Sequence, residues 1–215
     1  AYLLGLMPPE LIAKLQAKFT LIRRDPHYFL PTTEDRYLLF GSDVQALHQQ
    51  FVTFFSERDW QAHQALTREI AQIRRDLAPS WLEEPLSVYD TAARYLRPTL
   101  RDTFINLVTR PVEDYLERFD FASELLIAMY AVTDGFPGLH GSFGTPASGM
   151  NFLVHNMCRL PGSDSTWMIA KGGMGSITKE LARLATEAGA QIWTGASVQH
   201  IITQGEQVVG VVLRD

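Results

Sequence analysis

Between a short apolar segment, Thr166-Trp167-Met168-Ile169-Ala170, and an amphipathic stretch from Met174 onward lies Gly172-Gly173-Met174-Gly175-Ser176-Ile177-Thr178. Its Gly173-x-Gly175-x-x-Thr178 spacing approximates G-x-G-x-x-G. In that pattern glycines let a dinucleotide pyrophosphate approach a helix N-terminus, where unpaired N–H groups and the helix dipole favour an anion. Two departures make it read as a structural turn rather than a primary fingerprint. Thr178 stands where close helix–strand packing wants no side chain. The stretch about 20 residues on, Trp193-Thr194-Gly195-Ala196, offers no acid for a ribose hydroxyl. A nicotinamide-dependent dehydrogenase built on this turn is the least favoured reading.

Other candidate chemistry is thinner. His155 and Cys158 stand three apart in a helical-looking stretch, which would put them on one face. A zinc site needs three or four ligands and no neighbouring Asp, Glu or His completes one, so a hydrogen-bonded buried histidine is expected and no metal. Gly141-Ser142-Phe143-Gly144 is not the G-x-S-x-G elbow of a hydrolase. Asp102, Glu113, Asp114 and Glu117 are helix-face carboxylates with nothing to pair them as acid and base, so no catalytic residue is assigned. Asn151, His155 and Asn156 form the densest polar group in the loop-rich part and are candidates for lining a pocket.

Glycine usage separates the elements that must carry these groups. Two of the 15 glycines, Gly5 and Gly41, precede residue 135. The front is therefore expected to be mainly helical and the back rich in turns and strands. In the front, Phe19–Ile22 and Tyr37–Phe40 read as strands around a proline-containing turn region, 25–31. Asp43 is a plausible N-cap for a helix carrying Val44, Leu47, Phe51, Phe54 and Phe55. A second helix spans Trp60–Leu77, with Leu66, Ile70, Ile73 and Leu77 on one stripe. Arg68, Glu69, Arg74, Arg75 and Asp76 on the other face read as a solvated charge run. Helices are also expected at Val88–Leu96, Leu100–Val108 and Ala122–Val132, with Trp60, Trp81, Phe104 and Phe121 in the core. In the back, a helix from Met174 ends at Gly189 in the C′ position. Strands are expected at Ala190–Thr194, Ser197–Thr203 and Gln207–Leu213, the last two joined as a hairpin by Gln204-Gly205-Glu206.

Composition bounds the class. The chain has 215 residues, 46% apolar and 20% charged, with 19 Lys and Arg against 24 Asp and Glu, a net charge of −5. That excludes disordered and fibrous classes and argues against a dedicated nucleic-acid binder. The longest uninterrupted apolar run, Leu125–Val132, is far short of the ~20 residues of a membrane span. The single cysteine, Cys158, excludes an intrachain disulfide. The first residues carry no basic start and meet Pro8-Pro9, which does not fit a signal peptide. A strand at the very end of the chain, with nothing to close it, suggests an internal fragment.

With these elements in place, the run Lys171–Thr178, then Leu181-Ala182, Ala188–Ile192 and Thr194–Ile201, resembles the middle of phytoene-desaturase-like flavoproteins. These lie in the amine oxidase and carotenoid desaturase superfamily of FAD-dependent oxidoreductases. Phe119–Arg159, with Ala131-Val132-Thr133-Asp134-Gly135 and Gly141–Pro146, is similar to the branch of pyridine nucleotide-disulphide oxidoreductase domain-containing proteins. The front, from Tyr2-Leu3-Leu4 through Asp43, fits the same branch.

The resemblance implies a mixed α/β (α+β) chain. Residues 1–170 would be a largely helical substrate or cap domain with a small sheet, and 171–215 part of a Rossmann-type FAD-binding domain with a helix and a β-meander. It implies FAD, with Val198 presenting strand backbone to the adenine and Gly172 and Gly173 near the flavin. Trp167 and Ile169 would line a substrate cavity, to which Asn151 and His155 are added as candidates. The implied activity is hydride transfer from a small organic, apolar substrate to flavin. The family's N-terminal G-x-G-x-x-G and its C-terminal flavin-contacting segment are not in this chain, so the fragment alone is expected to be inactive and to hold FAD weakly or not at all. The alternative is a non-catalytic helical interaction or scaffold module derived from an oxidoreductase, in which a homo-oligomer would fit. A cytoplasmic location is expected, or a mitochondrial one in a eukaryote.

Overall fold

The computed structural model describes residues 3–33, 36–135, 138, 141–163 and 165–214. Among them it is mixed α/β, with nine α-helices and small antiparallel sheets, as the sequence implies. The chain opens with β1 (Leu3–Leu4), α1 (Pro9–Leu15) and β2 (Leu21–Ile22). A hairpin follows, β3 (Tyr28–Pro31) paired with β4 (Tyr37–Phe40) in the register Tyr28↔Phe40 to Pro31↔Tyr37. The proline-containing region thus supplies a strand as well as a turn. The partner of β4 lies there, and not in the Phe19–Ile22 segment.

The helical body is next. The Asp43 carboxylate accepts the Ala46 N–H at 2.9 Å and starts α2 (Val44–Phe54), as its position in the sequence predicts. Ser56 caps α3 (Glu57–Leu77) by accepting the Asp59 N–H at 3.1 Å, and donates to Asp59 Oδ2 at 2.5 Å. Trp60, Ala62, Leu66, Ile70, Ile73 and Leu77 form the buried face of α3. Further helices are α4 (Val88–Tyr95), α5 (Arg101–Thr109), α6 (Val112–Leu116), α7 (Glu124–Asp134) and α8 (Ser148–His155).

Asp59, 1% exposed, bridges distant parts of this body, with Oδ1 accepting the N–H groups of Ala122 and Ser123 at 2.8 and 3.0 Å. Helix α7 starts at Glu124 and not at the predicted Ala122, with Ser123 ahead of it in extended backbone at φ −101° and ψ 115°. Helices α5 and α8 approach so closely that a Cβ on Gly149 would sit 2.0 Å from the Leu107 carbonyl oxygen.

A second, smaller cluster joins the two ends of this body. In β5 (Met168–Ala170), Ile169 pairs with Leu3 of β1 on one side and Ile22 of β2 on the other. Leu4, Cys158, Leu160, Met168, Ala170 and Ile177 are buried together there. Ile177 belongs to α9 (Met174–Glu187), which the Lys18 N–H ties to the front by donating to Glu180 Oε1 at 2.9 Å. The chain closes with β6 (Val198–Gln204) and β7 (Gln207–Leu213), the hairpin expected from Gln204-Gly205-Glu206.

Three expectations are corrected. The segment Ala190–Thr194 is not a strand, because no strand among the described residues lies alongside it to supply a ladder. The Phe19–Ile22 strand is trimmed to Leu21–Ile22, since only the residues facing β5 find partners. Helix α8 ends at His155, so His155 and Cys158 do not share a helical face; the thiol hydrogen-bonds the Thr166 carbonyl at 3.2 Å. Part of the glycine-rich region, Phe136-Pro137 and Leu139-His140, lies outside the described residues.

Candidate functional site

A cleft opens where β4, α3, α7, the end of α8 and the segment before β5 meet. It has two lobes, of about 400 and 580 Å³. They share His27, Phe40, Tyr130, Asn156, Ser165 and Thr166, and so adjoin. These volumes fall in the range of small-molecule sites.

One wall is aromatic. The His155 and Trp167 rings stack at 5.5 Å with 24° between planes, and the indole N–H donates to the His155 carbonyl at 3.0 Å. The His155 ring is fixed from the other side, as Nδ1 donates to the Asn151 carbonyl one turn earlier at 3.0 Å. Opposite, Phe40, Phe51, Trp60, His63 and Tyr130 form a connected aromatic group. The His63 ring stacks on Phe51 at 5.1 Å, and its Nδ1 lies 2.6 Å from the Tyr130 hydroxyl. Burial pushes the His63 pKa down to about 4 and lowers that of His27, so both are neutral near pH 7.

Two arginines are built into the walls. Arg24 Nε donates to the Trp167 carbonyl at 2.9 Å, and Arg74 Nε donates to the Asn156 carbonyl at 2.6 Å while Nη1 reaches the Ser165 hydroxyl. Ser165 holds this position with φ +71°, a left-handed conformation that L-residues other than Asn and Asp rarely adopt. Burial lowers the Arg74 pKa from its ordinary value. Arg74 was expected on a solvated face. Instead α3 turns it into the cleft, while Glu69 engages Arg118 and Tyr115, and Asp76 engages Arg97. A helical wheel sorts residues by angle and cannot show which polar ones a second structure covers, so this residue was missed.

Of the residues singled out in the sequence, His155 and Trp167 stand together in the cleft wall, and Asn151 supports His155 from behind. Ile169 sits in β5 between Leu3 and Ile22. Gly172 and Gly173 form the turn from β5 into α9 with φ +86° and +75°, and a Cβ on Gly173 would meet no atom within 4 Å. The turn's glycines thus answer to backbone conformation, and not to close packing. Val198 begins β6, half exposed. The Arg214 N–H donates to the Ser197 carbonyl at 2.8 Å, so strand alternation leaves the N–H and C=O of Val198 on the outer edge, away from β7.

No group of three or more metal-ligating side chains occurs among the described residues, and no helix there is long and apolar enough to cross a membrane. No family profile and no solved structure matches the chain. Over its whole length it is 30% identical to pyridine nucleotide-disulfide oxidoreductase domain-containing protein 2 of Rattus norvegicus, covering 42% of that protein, with the same figures for the Mus musculus protein. An uncharacterized protein of Mycobacterium tuberculosis is 28% identical across 92% of the chain and 38% of its own length. The chain therefore spans about two fifths of the curated relatives it matches, and by homology it is related to proteins named as oxidoreductases.

Proposed function

We propose that these residues are the middle portion of an FAD-dependent oxidoreductase of dehydrogenase or desaturase type, in which an organic donor bound in the cleft loses hydride to flavin. The observation that carries this reading is the similarity of the entire chain to proteins named for an oxidoreductase domain. In it, residues 1–170 form the substrate-binding part and 171–215 return to the cofactor domain. The phytoene-desaturase likeness of the segment 171–201 supports the same assignment.

The chain's own residues fit part of such a cofactor. Val198 has main-chain groups on an open strand edge, suited to an adenine rim, and Gly173 leaves space beside the β5–α9 turn, where Gly172 packs against Ser176. Thr178 occupies the place of the third glycine of a phosphate cradle, so the diphosphate contacts belong to parent sequence beyond this chain. When bound, FAD supplies the hydride acceptor. The protein's part is binding, orientation and exclusion of water. Phe40, Tyr130 and Trp167 cover the body of the donor. His63, uncharged near pH 7, holds the Tyr130 hydroxyl in place at 2.6 Å from Nδ1.

Expression of the full-length parent with flavin available tests this. Visible flavin absorbance co-eluting with the protein on gel filtration is expected, with little or none retained by these 215 residues alone. A colourless full-length protein that also fails to bind added FAD would refute the assignment. The exposed apolar residues of β6 and β7 favour a second reading, a non-catalytic interaction module. That reading predicts an oligomer whose mass by light scattering is unchanged when flavin is absent.

A further inference from the structure

The cleft has a charge character that oxidoreduction of an apolar donor does not require. Four arginines and three histidines line its lobes and, among the described residues, no Asp or Glu does, in a chain whose net charge is −5. The carboxylate beside it, Asp25, is committed to Ser42 and to Arg23 at 4.0 Å. Arg24 and Arg74 have no acidic partner within 4 Å among the described residues.

Their geometry is that of a prepared site. Each guanidinium is anchored through Nε to a main-chain carbonyl, which fixes its plane; Arg74 also gives Nη1 to Ser165, so its Nη2 and the terminal donors of Arg24 face an incoming group. The two side chains also converge on the segment before β5. Arg24 holds the Trp167 carbonyl and Arg74 the Ser165 hydroxyl, so the two cations approach one segment within about 7 Å of chain. Both side chains are half-buried; a guanidinium partly withdrawn from water with no anion beside it gains from an incoming oxyanion, and planar N–H forks match carboxylate and phosphate oxygens.

We propose that the cleft binds an organic oxyanion, a carboxylate or a phosphate monoester, with its head between Arg24 and Arg74 and its apolar body against Phe40, Tyr130 and Trp167. That this ligand is also the hydride donor rests on the function proposed above; its binding does not. The expectation of a wholly apolar substrate is thereby sharpened to an amphipathic one.

Calorimetric titration of the full-length protein with three probes tests the inference: 4-phenylbutyrate, 4-phenylbutyl phosphate and the neutral 4-phenylbutanamide. At least one anion should bind about tenfold or more tightly than the amide, the factor corresponding to roughly 1.4 kcal/mol. The stronger of the two anions identifies the head group. An Arg24→Met variant should remove most of that preference, lowering the ratio of anion to amide affinity at least several-fold. Discrimination below about tenfold in the wild type, or no binding of any probe, overturns the proposal without recourse to variants. A flavin-free protein that still prefers the anion would sink the proposed function and leave this site standing. A flavin-bearing protein indifferent to charge would do the reverse.

Discussion

The helical body and the terminal ribbon are both regular hydrogen-bonded structure, yet they meet solvent in opposite ways. Helices α2 to α8 wrap around a continuous core in which Leu38, Phe51, Ile73, Val112, Leu116 and Leu126 are essentially inaccessible. In β6 and β7, seven of the large apolar residues are exposed, with Val208 at 66%, and Trp193 just before them reaches 72%. An antiparallel pair with apolar side chains on both faces is stable by itself only marginally. The body therefore carries the fold of the chain. The ribbon has the composition of something that is covered, which fits the proposal that more of the parent protein packs on it.

The sharpest way to break the contrast is Gly149→Ala. With the new Cβ 2.0 Å from a backbone oxygen on α5, the crossing of α5 and α8 must open. Urea denaturation should then show a loss of about 4 kcal/mol or more. A stability within about 1 kcal/mol of wild type would mean that the body is not the tightly packed unit described here.

Asp59→Ala comes next. It strips the acceptor from two buried N–H groups and from the Ser56 hydroxyl, and should cost about 3 kcal/mol by the same measurement.

The third effect is read by acid titration. The folded pKa of His63 is depressed from 6.5 to about 4, so the unfolded chain takes up this proton first. The His63 contribution is intact above pH 6.5 and is progressively lost as pH falls toward 4, by roughly 3 to 3.5 kcal/mol in all. A His63→Gln variant should show a flatter stability profile across that interval. An unaltered slope would assign the acid sensitivity elsewhere.

Smallest is the change in the ribbon. Lysine at both Val209 and Val211 should leave the stability of this chain within about 0.5 kcal/mol, as for exposed positions generally. In the full-length parent the same pair should lower the melting temperature if the ribbon is covered there. No change in either setting would leave the ribbon a free surface.

The elements that were legible in the sequence are those whose cause is local. The capping carboxylate of Asp43, the stripe Leu66, Ile70, Ile73 and Leu77, and the turn at Gly205 each act within a few residues. What escaped is what another part of the chain decides. The residues before α7 are tied to Asp59 of α3, β3 forms in a region that reads as a turn, and Arg74 is drawn off a polar helix face into a wall made by Asn156 and Ser165. The candidate site shows the same division. His155 and Trp167 stood out by residue type and neighbourhood, whereas Arg24, His63 and Tyr130 carry no motif and converge only through tertiary structure.

The sheet formed by β1, β5 and β2 has a temporal implication. Leu3 and Ile22 both stand opposite Ile169 in the sheet, and Ile169 leaves the ribosome only after α2 to α8 have been made. Residues 3–22 are made before β5 and must therefore wait without it while the body condenses, so that their docking follows the folding of the helices. A chaperone or nascent neighbour that captures residues 3–22 in that interval would compete with this final closure and leave the helices untouched.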